Sequence, residues 1–339
     1  MSKPFFSIAI PTYNRANYLK RALTCILCQN FEDFEIIIFD NNSKDNTQAI
    51  VKKFKDKRIL YIKNKRNIGA IANIKKIIRY AKGEYVILHG DDDFIIDNKM
   101  LAQAYNLLKK RPFGFVRLNY LHLSYNMDRI FDIKKIDDDI EIKPKRQGNE
   151  ILSFLIKSDF SFISGIIFRN YKNAYKDIIR SETGPWFRIV FKNIYMYGGY
   201  IFAKHFLIAK WSRGFPSLYL LEKGELKFEN YYREVEKVVD KKYYNEFLKD
   251  DLKYRIILIP GAKLYTGTKN AIRYAKRIVE LLPEYKYSYF FWLYFLATLF
   301  TPSFIFRLIR KYKEEGLRKY KIPHEKALLL YVKQITNNN

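Results

Sequence analysis

The sequence predicts an α/β fold, a mainly parallel sheet with helices on both faces, joined to a mostly helical C-terminal region. Three observations predict it. Short continuous apolar runs alternate with helix-period patterns up to about Leu123. Each of the early runs ends in a polar cluster. Beyond about Phe215 helical patterns take over from strand-like ones. Strands covered on both faces read as unbroken apolar runs, and helices between them imply parallel crossovers.

Taken in order, Phe5–Ile10 (FFSIAI) reads as a buried strand closed by Pro11. A helix follows, with Asn17 as its expected cap and Leu19, Ala22, Leu23, Ile26 and Leu27 on its apolar face. Ile36–Phe39 is a second strand ending in Asp40-Asn41-Asn42-Ser43, followed by a helix carrying Ile50, Val51 and Phe54. Ile59–Ile62 is the third strand. Asn67-Ile68-Gly69 then opens a helix with Ile71, Ile74, Ile77 and Ile78. Tyr85–Leu88 is the fourth strand, running into His89-Gly90-Asp91-Asp92-Asp93. Strand character recurs at Phe113–Leu123 and at Phe162–Phe168, and helical character at 181–200 before Gly198-Gly199. Leu248–Ile259 and Ala271–Leu282 read as helices. The expected division is a catalytic domain over 1–215 and a helical region over 216–339, with an aromatic and basic segment at 287–313.

Open parallel sheets bind ligands beyond the carboxyl ends of their strands. Three polar clusters stand there: Pro11-Thr12-Tyr13-Asn14, Asp40-Asn41-Asn42 and Asp91-Asp92-Asp93. Three adjacent carboxylates raise one another's pKa, and a hard divalent ion such as Mg²⁺ or Mn²⁺ relieves that cost. The bland alternative is a solvated acidic turn before a helix capped near Asp97.

Composition bounds the partners. The 62 Lys and Arg against 35 Asp and Glu leave a net charge of +27, which favours nucleotide phosphates, anionic lipid or nucleic acid as counterparts. Residue usage biased to Lys, Ile and Asn accounts for part of that excess. The two cysteines, Cys25 and Cys28, exclude a disulfide framework, and their helical spacing predicts packing on one apolar face rather than a zinc site. Met1-Ser2-Lys3-Pro4 passes at once into a strand, so no signal peptide is expected and a reducing cytoplasm is. The charge-free stretch Tyr287–Phe306 has Lys286 before it and Arg307, Arg310, Lys311 and Lys313 after it. Its length permits a span, but Pro302 interrupts it and its Tyr and Trp suit an interface. Three readings stay open: an interfacial helix on an anionic leaflet, a core or dimer contact, and a span.

The segments SIAIPTYNRANYLKRAL, FEIIIFDNNSKDNT, NIGAIANI and GEYVILHGDDD resemble, in order and spacing, the N-terminal signature of family 2 glycosyltransferases, which have the GT-A fold. The Gly90–Asp93 form most resembles the abequosyltransferase-like branch, which decorates bacterial surface polysaccharides. The resemblance implies that Pro11, Thr12, Tyr13 and Asn14 contact the nucleotide and that Asp40 accepts hydrogen bonds from its base. It implies that Asn67 and Gly69 leave room for base and ribose, and that Asp92 and Asp91 hold Mn²⁺ or Mg²⁺, with Asp91 also a ribose contact. Many relatives carry an acid where this chain has His89.

It further implies an inverting transfer with a general base at the start of a helix, where Glu182 precedes Trp186, Phe187 and Arg188. Asp177 and Asp159 are the fallbacks. His205, Lys210 and Arg213 lie where a basic loop could close over the diphosphate. The implied enzyme is cytoplasmic and peripheral at the inner face of the plasma membrane. It moves a sugar from a nucleotide-sugar to a lipid-linked surface glycan, with oligomeric state, homodimer included, left open. Two other classes remain. A sugar nucleotidyltransferase would need a Gly-rich loop after the first strand, which Pro11-Thr12-Tyr13-Asn14-Arg15 lacks. A basic nucleic-acid binder would need a recognition motif, and none is present.

Overall fold

The structure, a computed structural model, describes residues 3–123, 130–133, 136–146, 149–158, 162–171, 186–210, scattered helical positions from 241 to 256, and 259–309. These form two compact units, one ending at Lys210 and one in the C-terminal part of the chain.

The first unit is built on one mixed sheet. Strands β1 (Phe6–Thr12), β2 (Phe34–Asp40), β3 (Ile59–Lys63) and β4 (Tyr85–Leu88) alternate with helices α1 (Ala16–Leu27), α2 (Thr47–Lys53) and α3 (Ala70–Ile78). All four strands are parallel, as their apolar runs predict, in the order β3-β2-β1-β4. Burial explains the apolar runs: Ile8, Ala9, Ile10, Ile36–Phe39 and Val86–Leu88 have almost no exposed surface.

The sheet then changes character. Short β5 (Phe94–Ile95) leads to α4 (Met100–Lys110), β6 (Phe115–Leu123), β7 (Ile130–Ile133), β8 (Ile140–Ile142), α5 (Asn149–Ser158), β9 (Ile166–Arg169), α6 (Phe187–Tyr197) and β10 (Gly199–Lys210). β9 inserts antiparallel between β4 and β6, β10 runs parallel to β6, and β5, β7 and β8 add antiparallel at the far side. The apolar run at Phe162–Phe168 therefore contains only the first three residues of β9. Its first half is a turn through Ser164 and Gly165, since Gly165 takes a left-handed φ of +78°.

Two local expectations are corrected. Helix α1 begins at Ala16, ahead of Asn17, and its first turn has no cap of its own. The Asp45 carboxylate supplies one from the next loop, accepting from the Ala16 amide at 3.0 Å. Cys25 is buried in the core, but Cys28 is the exposed residue closing α1, so the pair does not share an apolar face. A helix's last residue leaves the regular 3.6-residue rotation, and with it the face its spacing predicts.

The second unit is helical: α7 (Ile259–Thr266), α8 (Thr268–Leu281), a 3₁₀ turn (Pro283–Tyr287) and α9 (Tyr289–Phe300). The apolar stretch from Tyr287 breaks at Pro302 and resumes over Ser303–Ile309 after a bend of 115°. Among the described residues no single helix is long and apolar enough to cross a membrane.

Gly165 stands between β4 and β6, donating to Leu88 O at 3.0 Å and accepting from the Leu118 amide at 2.9 Å. A Cβ there would meet Leu207 Cδ1 at 2.3 Å, and its φ is costly for any L side chain. Gly165→Ala is expected to cost about 1–3 kcal/mol in urea denaturation; an unchanged midpoint would contradict this account of the turn.

Candidate active site

Strand order reverses at β1: the chain moves outward through β2 and β3, then returns to place β4 on the other side of β1. At such a switch point the loops after neighbouring strands part and leave a crevice. The loop after β1 and the loop after β4 meet across it. Thr12 Oγ1 donates to Asp91 Oδ2 at 2.6 Å, a buried bond. Arg15 Nη1 donates to Asp91 Oδ1 at 3.3 Å and also bonds Asp92 Oδ2. The Asp91 side chain is 8% exposed, that of Asp92 22% and that of Arg15 42%.

The three acids of the cluster therefore differ. Burial first, and then the neighbouring Asp92 charge, push the Asp91 carboxyl up to about 7 despite Arg15 and Thr12. Asp93 turns inward, where the Ser164 hydroxyl bonds its carboxylate. Ser164 Oγ also accepts from the Gly90 amide at 2.7 Å, so one serine ties both ends of the acidic turn. A side chain at residue 90 would collide with Asp93 Oδ2 at 2.7 Å and Ser164 Oγ at 2.9 Å, which explains the glycine. Behind Ser164 the buried Arg117 guanidinium donates to the Phe162 carbonyl at 3.1 Å and to the Ser164 carbonyl. His89, where many relatives are expected to carry an acid, is buried beside the Asp93 carbonyl at 3.2 Å. Burial holds its pKa down at about 4, so the imidazole is neutral near pH 7 and adds no charge to the corner.

The nucleotide-side residues converge on the next loops. Asn14 takes a left-handed φ of +53° and links the loop after β1 to the loop after β2. Its amide donates to Ser43 Oγ at 2.8 Å, and its Oδ1 accepts from the Lys44 amide at 2.7 Å. Tyr13 is exposed beside it and Pro11 half-buried. Asp40 pairs with Thr12 in the β1–β2 register, but it has no exposed surface. Its oxygens take the Ser43 amide at 2.7 Å and the Tyr61 hydroxyl. In this arrangement Asp40 shapes the loop after β2.

A ladder of carboxamides stands beside it. Asn41 donates to Asn67 Oδ1 at 2.7 Å and accepts from the Ile68 amide at 2.9 Å. Asn67 Oδ1 also accepts from the Gly69 amide at 2.9 Å. Asn64 donates to Asn73 Oδ1 at 2.7 Å, and Asn73 to the Phe39 carbonyl at 2.8 Å. Gly69 opens α3 at φ +82°, with nothing within 4 Å of where a Cβ would stand, so it leaves open space at this rim.

The structure thus brings together Thr12, Asp91 and Asp92 at the crevice, and Asn14, Asp40, Asn67 and Gly69 on the adjoining loops. Sequence reasoning placed Asn41 in a strand-end cluster but missed Arg15, Asn64, Asn73 and Ser164; for Arg15 the signal was a base immediately following the Pro11–Asn14 loop. Glu182, Asp177, Asp159 and Arg213 lie outside the described residues. His205 and Lys210 are placed as backbone in β10.

No group of three or more His, Cys, Asp or Glu side chains arranged to hold a metal occurs among the described residues. The corner instead offers two hard carboxylates carrying more negative charge than Arg15 cancels. That donor set fits a magnesium-like ion that takes one or two protein oxygens and completes its shell with phosphate and water.

A mixed sheet covered by helices, with acids at the switch point, is the GT-A arrangement. Residues 7–179, just over half of the chain, match the model of Glycosyl transferase family 2, and the chain belongs to that family. It is 28% identical over 200 residues to an uncharacterized glycosyltransferase of Methanocaldococcus jannaschii, covering 56% of this chain and 66% of the relative. It is 30% identical over 148 residues to the GalNAc(5)-diNAcBac-PP-undecaprenol beta-1,3-glucosyltransferase of Campylobacter jejuni, covering 42% and 47%. It is also 30% identical over 120 residues to the UDP-Glc:alpha-D-GlcNAc-diphosphoundecaprenol beta-1,3-glucosyltransferase WfgD of Escherichia coli, covering 35% and 47%. In each case the match spans less than two thirds of the relative's length.

Among solved structures, S. aureus TarS 1-349 in complex with UDP-GlcNAc shares the fold at TM-score 0.59 and 16% identity, covering 82% of both chains. The mannosyltransferase PcManGT from Pyrobaculum calidifontis, in complex with GDP-Man and Mn²⁺, does so at 0.52 and 14%, covering 100% of this chain and 89% of that one.

Because Asp91 is raised, the folded chain holds more protons than the unfolded one between the ordinary value of 3.8 and about 7. Its contribution to stability therefore falls as pH rises through that window. Asp91→Asn should melt at a higher temperature than the wild type at pH 8, the difference closing towards pH 4. A difference independent of pH would refute the assignment.

Proposed function

We propose that this glycosyltransferase moves a sugar from a nucleotide-sugar to a lipid-linked glycan, with inversion at the transferred carbon and with a divalent ion at Asp91 and Asp92. The observation that carries the reading is the Thr12–Asp91–Arg15–Asp92 cluster across the switch point, which gathers charge where a diphosphate would lie. Pro11, Thr12, Tyr13 and Asn14 line the nucleotide side, with Asn67 and Gly69 at its rim. A bound Mn²⁺ or Mg²⁺ would offset charge developing on the leaving diphosphate. The side chains of Asp91 and Asp92 would hold that ion, while Asp93 stays bound to Ser164 as the brace of the turn.

Two relatives are named for undecaprenol-linked acceptors, which supports a lipid-linked acceptor here. The Gly90–Asp93 form supports placement in the abequosyltransferase-like branch. Glu182 is our choice for the general base that takes the proton of the acceptor hydroxyl. The catalytic domain is taken as 1–215 and the helical region as 216–339.

Transfer or donor hydrolysis should need Mn²⁺ or Mg²⁺, and Asp92→Ala should lower it by roughly 10²-fold or more. Full activity of Asp92→Ala would end the metal assignment. Glu182→Gln should lose transfer while still binding donor; loss of donor binding instead would remove Glu182 from the role of base.

The second unit supports a peripheral place on the cytoplasmic face of a membrane. Tyr289 and Phe300 are each about 80% exposed, and Trp292, Leu293, Leu296, Phe304 and Leu308 are exposed with them. Only Phe291 and Thr298 of α9 are buried. An apolar, aromatic surface followed by Arg307, Arg310, Lys311 and Lys313 suits an anionic leaflet. Replacing Trp292 and Leu296 with Glu should abolish sedimentation with phosphatidylglycerol-containing vesicles. If the variant still sediments, this surface is not the anchor; if it changes only the oligomeric state, the surface is a self-contact.

A further inference from the structure

Arg15 belongs to the cluster at the switch point but has been given no role of its own, and it is the basic group that holds the acidic corner. A single nitrogen, Nη1, reaches both acids, at 3.3 Å to Asp91 Oδ1 and in direct contact with Asp92 Oδ2. Among the described residues no other basic side chain pairs with either acid. The second oxygen of Asp91 is taken by Thr12. Arg15 thus bonds both carboxylates through one nitrogen, on the oxygens that Thr12 leaves open.

The grip is of a replaceable kind. A guanidinium binds a carboxylate best through two parallel N–H bonds, whereas here one nitrogen is divided between two acids. Two carboxylates against one guanidinium leave a net negative charge, and a divalent ion would balance them. Arg15 sits on the short loop between β1 and α1, with its side chain 42% exposed. On its outer side it lines a cleft of about 520 Å³ together with Asn14, Tyr18, Asp45, Asn46 and Lys53. The side chain therefore has somewhere to go without moving the backbone.

We infer that Arg15 is a resident counter-cation that competes with the divalent ion for Asp91 and Asp92, and that loading the site releases its guanidinium to bind the donor's diphosphate. The inference rests on the proposed reading of this corner as a cation site. It makes Arg15 a positioning residue with two states: bound to the acids in the empty site, and bound to phosphate oxygens in the loaded one, where its planar fork can engage two oxygens at once. Metal alone must displace Arg15 and binds weakly. Metal with a diphosphate binds tightly, because the displaced guanidinium gains a partner. By linkage the diphosphate also binds more tightly when the metal is present.

The test measures Mn²⁺ binding to the full chain by electron paramagnetic resonance, without nucleotide and then with UDP or GDP. Wild type, Arg15→Gln and Arg15→Lys are compared after thermal melts confirm that each is folded. Arg15→Gln should bind Mn²⁺ alone about tenfold more tightly than wild type and gain less from the nucleotide. Arg15→Lys should fall between them. A wild-type or weaker Mn²⁺ affinity in folded Arg15→Gln overturns the inference while leaving the metal site standing. If wild type and both variants fail to bind Mn²⁺ even with nucleotide, the cation reading of the corner falls, and this inference with it.

Discussion

The hydrogen bond from Thr12 to Asp91 is the contact on which the arrangement of the crevice depends. It joins the loops after β1 and β4, two neighbouring parallel strands whose connections lead in opposite directions. A carboxylate in so enclosed a place is costly unless its charge is met. The chain meets it with one hydroxyl and part of one guanidinium, and the acid stays hard to ionise. The strands supply the position, and the incomplete compensation supplies the appetite for positive charge.

Around that contact the loops are held mainly by neutral groups. Carboxamides of Asn41, Asn64, Asn67 and Asn73 lace the loop after β3 to the end of β2, and Asn14 ties the first two loops together. Amides both donate and accept, so a chain of them can satisfy backbone groups in succession without adding charge beside the acids. Asp40 belongs to this framework. Its carboxylate is enclosed by Ser43 and Tyr61, and burial together with Asp40 pushes the Tyr61 phenol far up, so that it stays a proton donor.

The early strands were legible because each is buried on both faces and carries an unbroken apolar run. Their carboxyl ends were legible for the same reason, since polar residues can begin only where burial stops. What was hidden depends on partners distant in the chain. Ser164 looks like part of a strand until its hydroxyl is seen to meet Gly90 and Asp93, more than seventy residues away. Arg15 reads as one base among 62 until the fold sets it against two acids. Asp45 caps a helix that begins 29 residues earlier, and no local pattern announces such a loan. Asp40 was legible only in part: its place at a strand end was plain, but its enclosure depends on Tyr61 from the next strand.

In the second unit the Lys263 ammonium lies at 2.8, 3.2 and 3.0 Å from the carbonyl oxygens of Thr298, Leu299 and Thr301, where α9 ends before Pro302. Carbonyls at a helix break ordinarily turn to water. Here one side chain from α7 answers three of them. The break therefore makes little demand for hydration at those groups, and the chain can change direction there without carrying a shell of solvent into the greasy surface on either side.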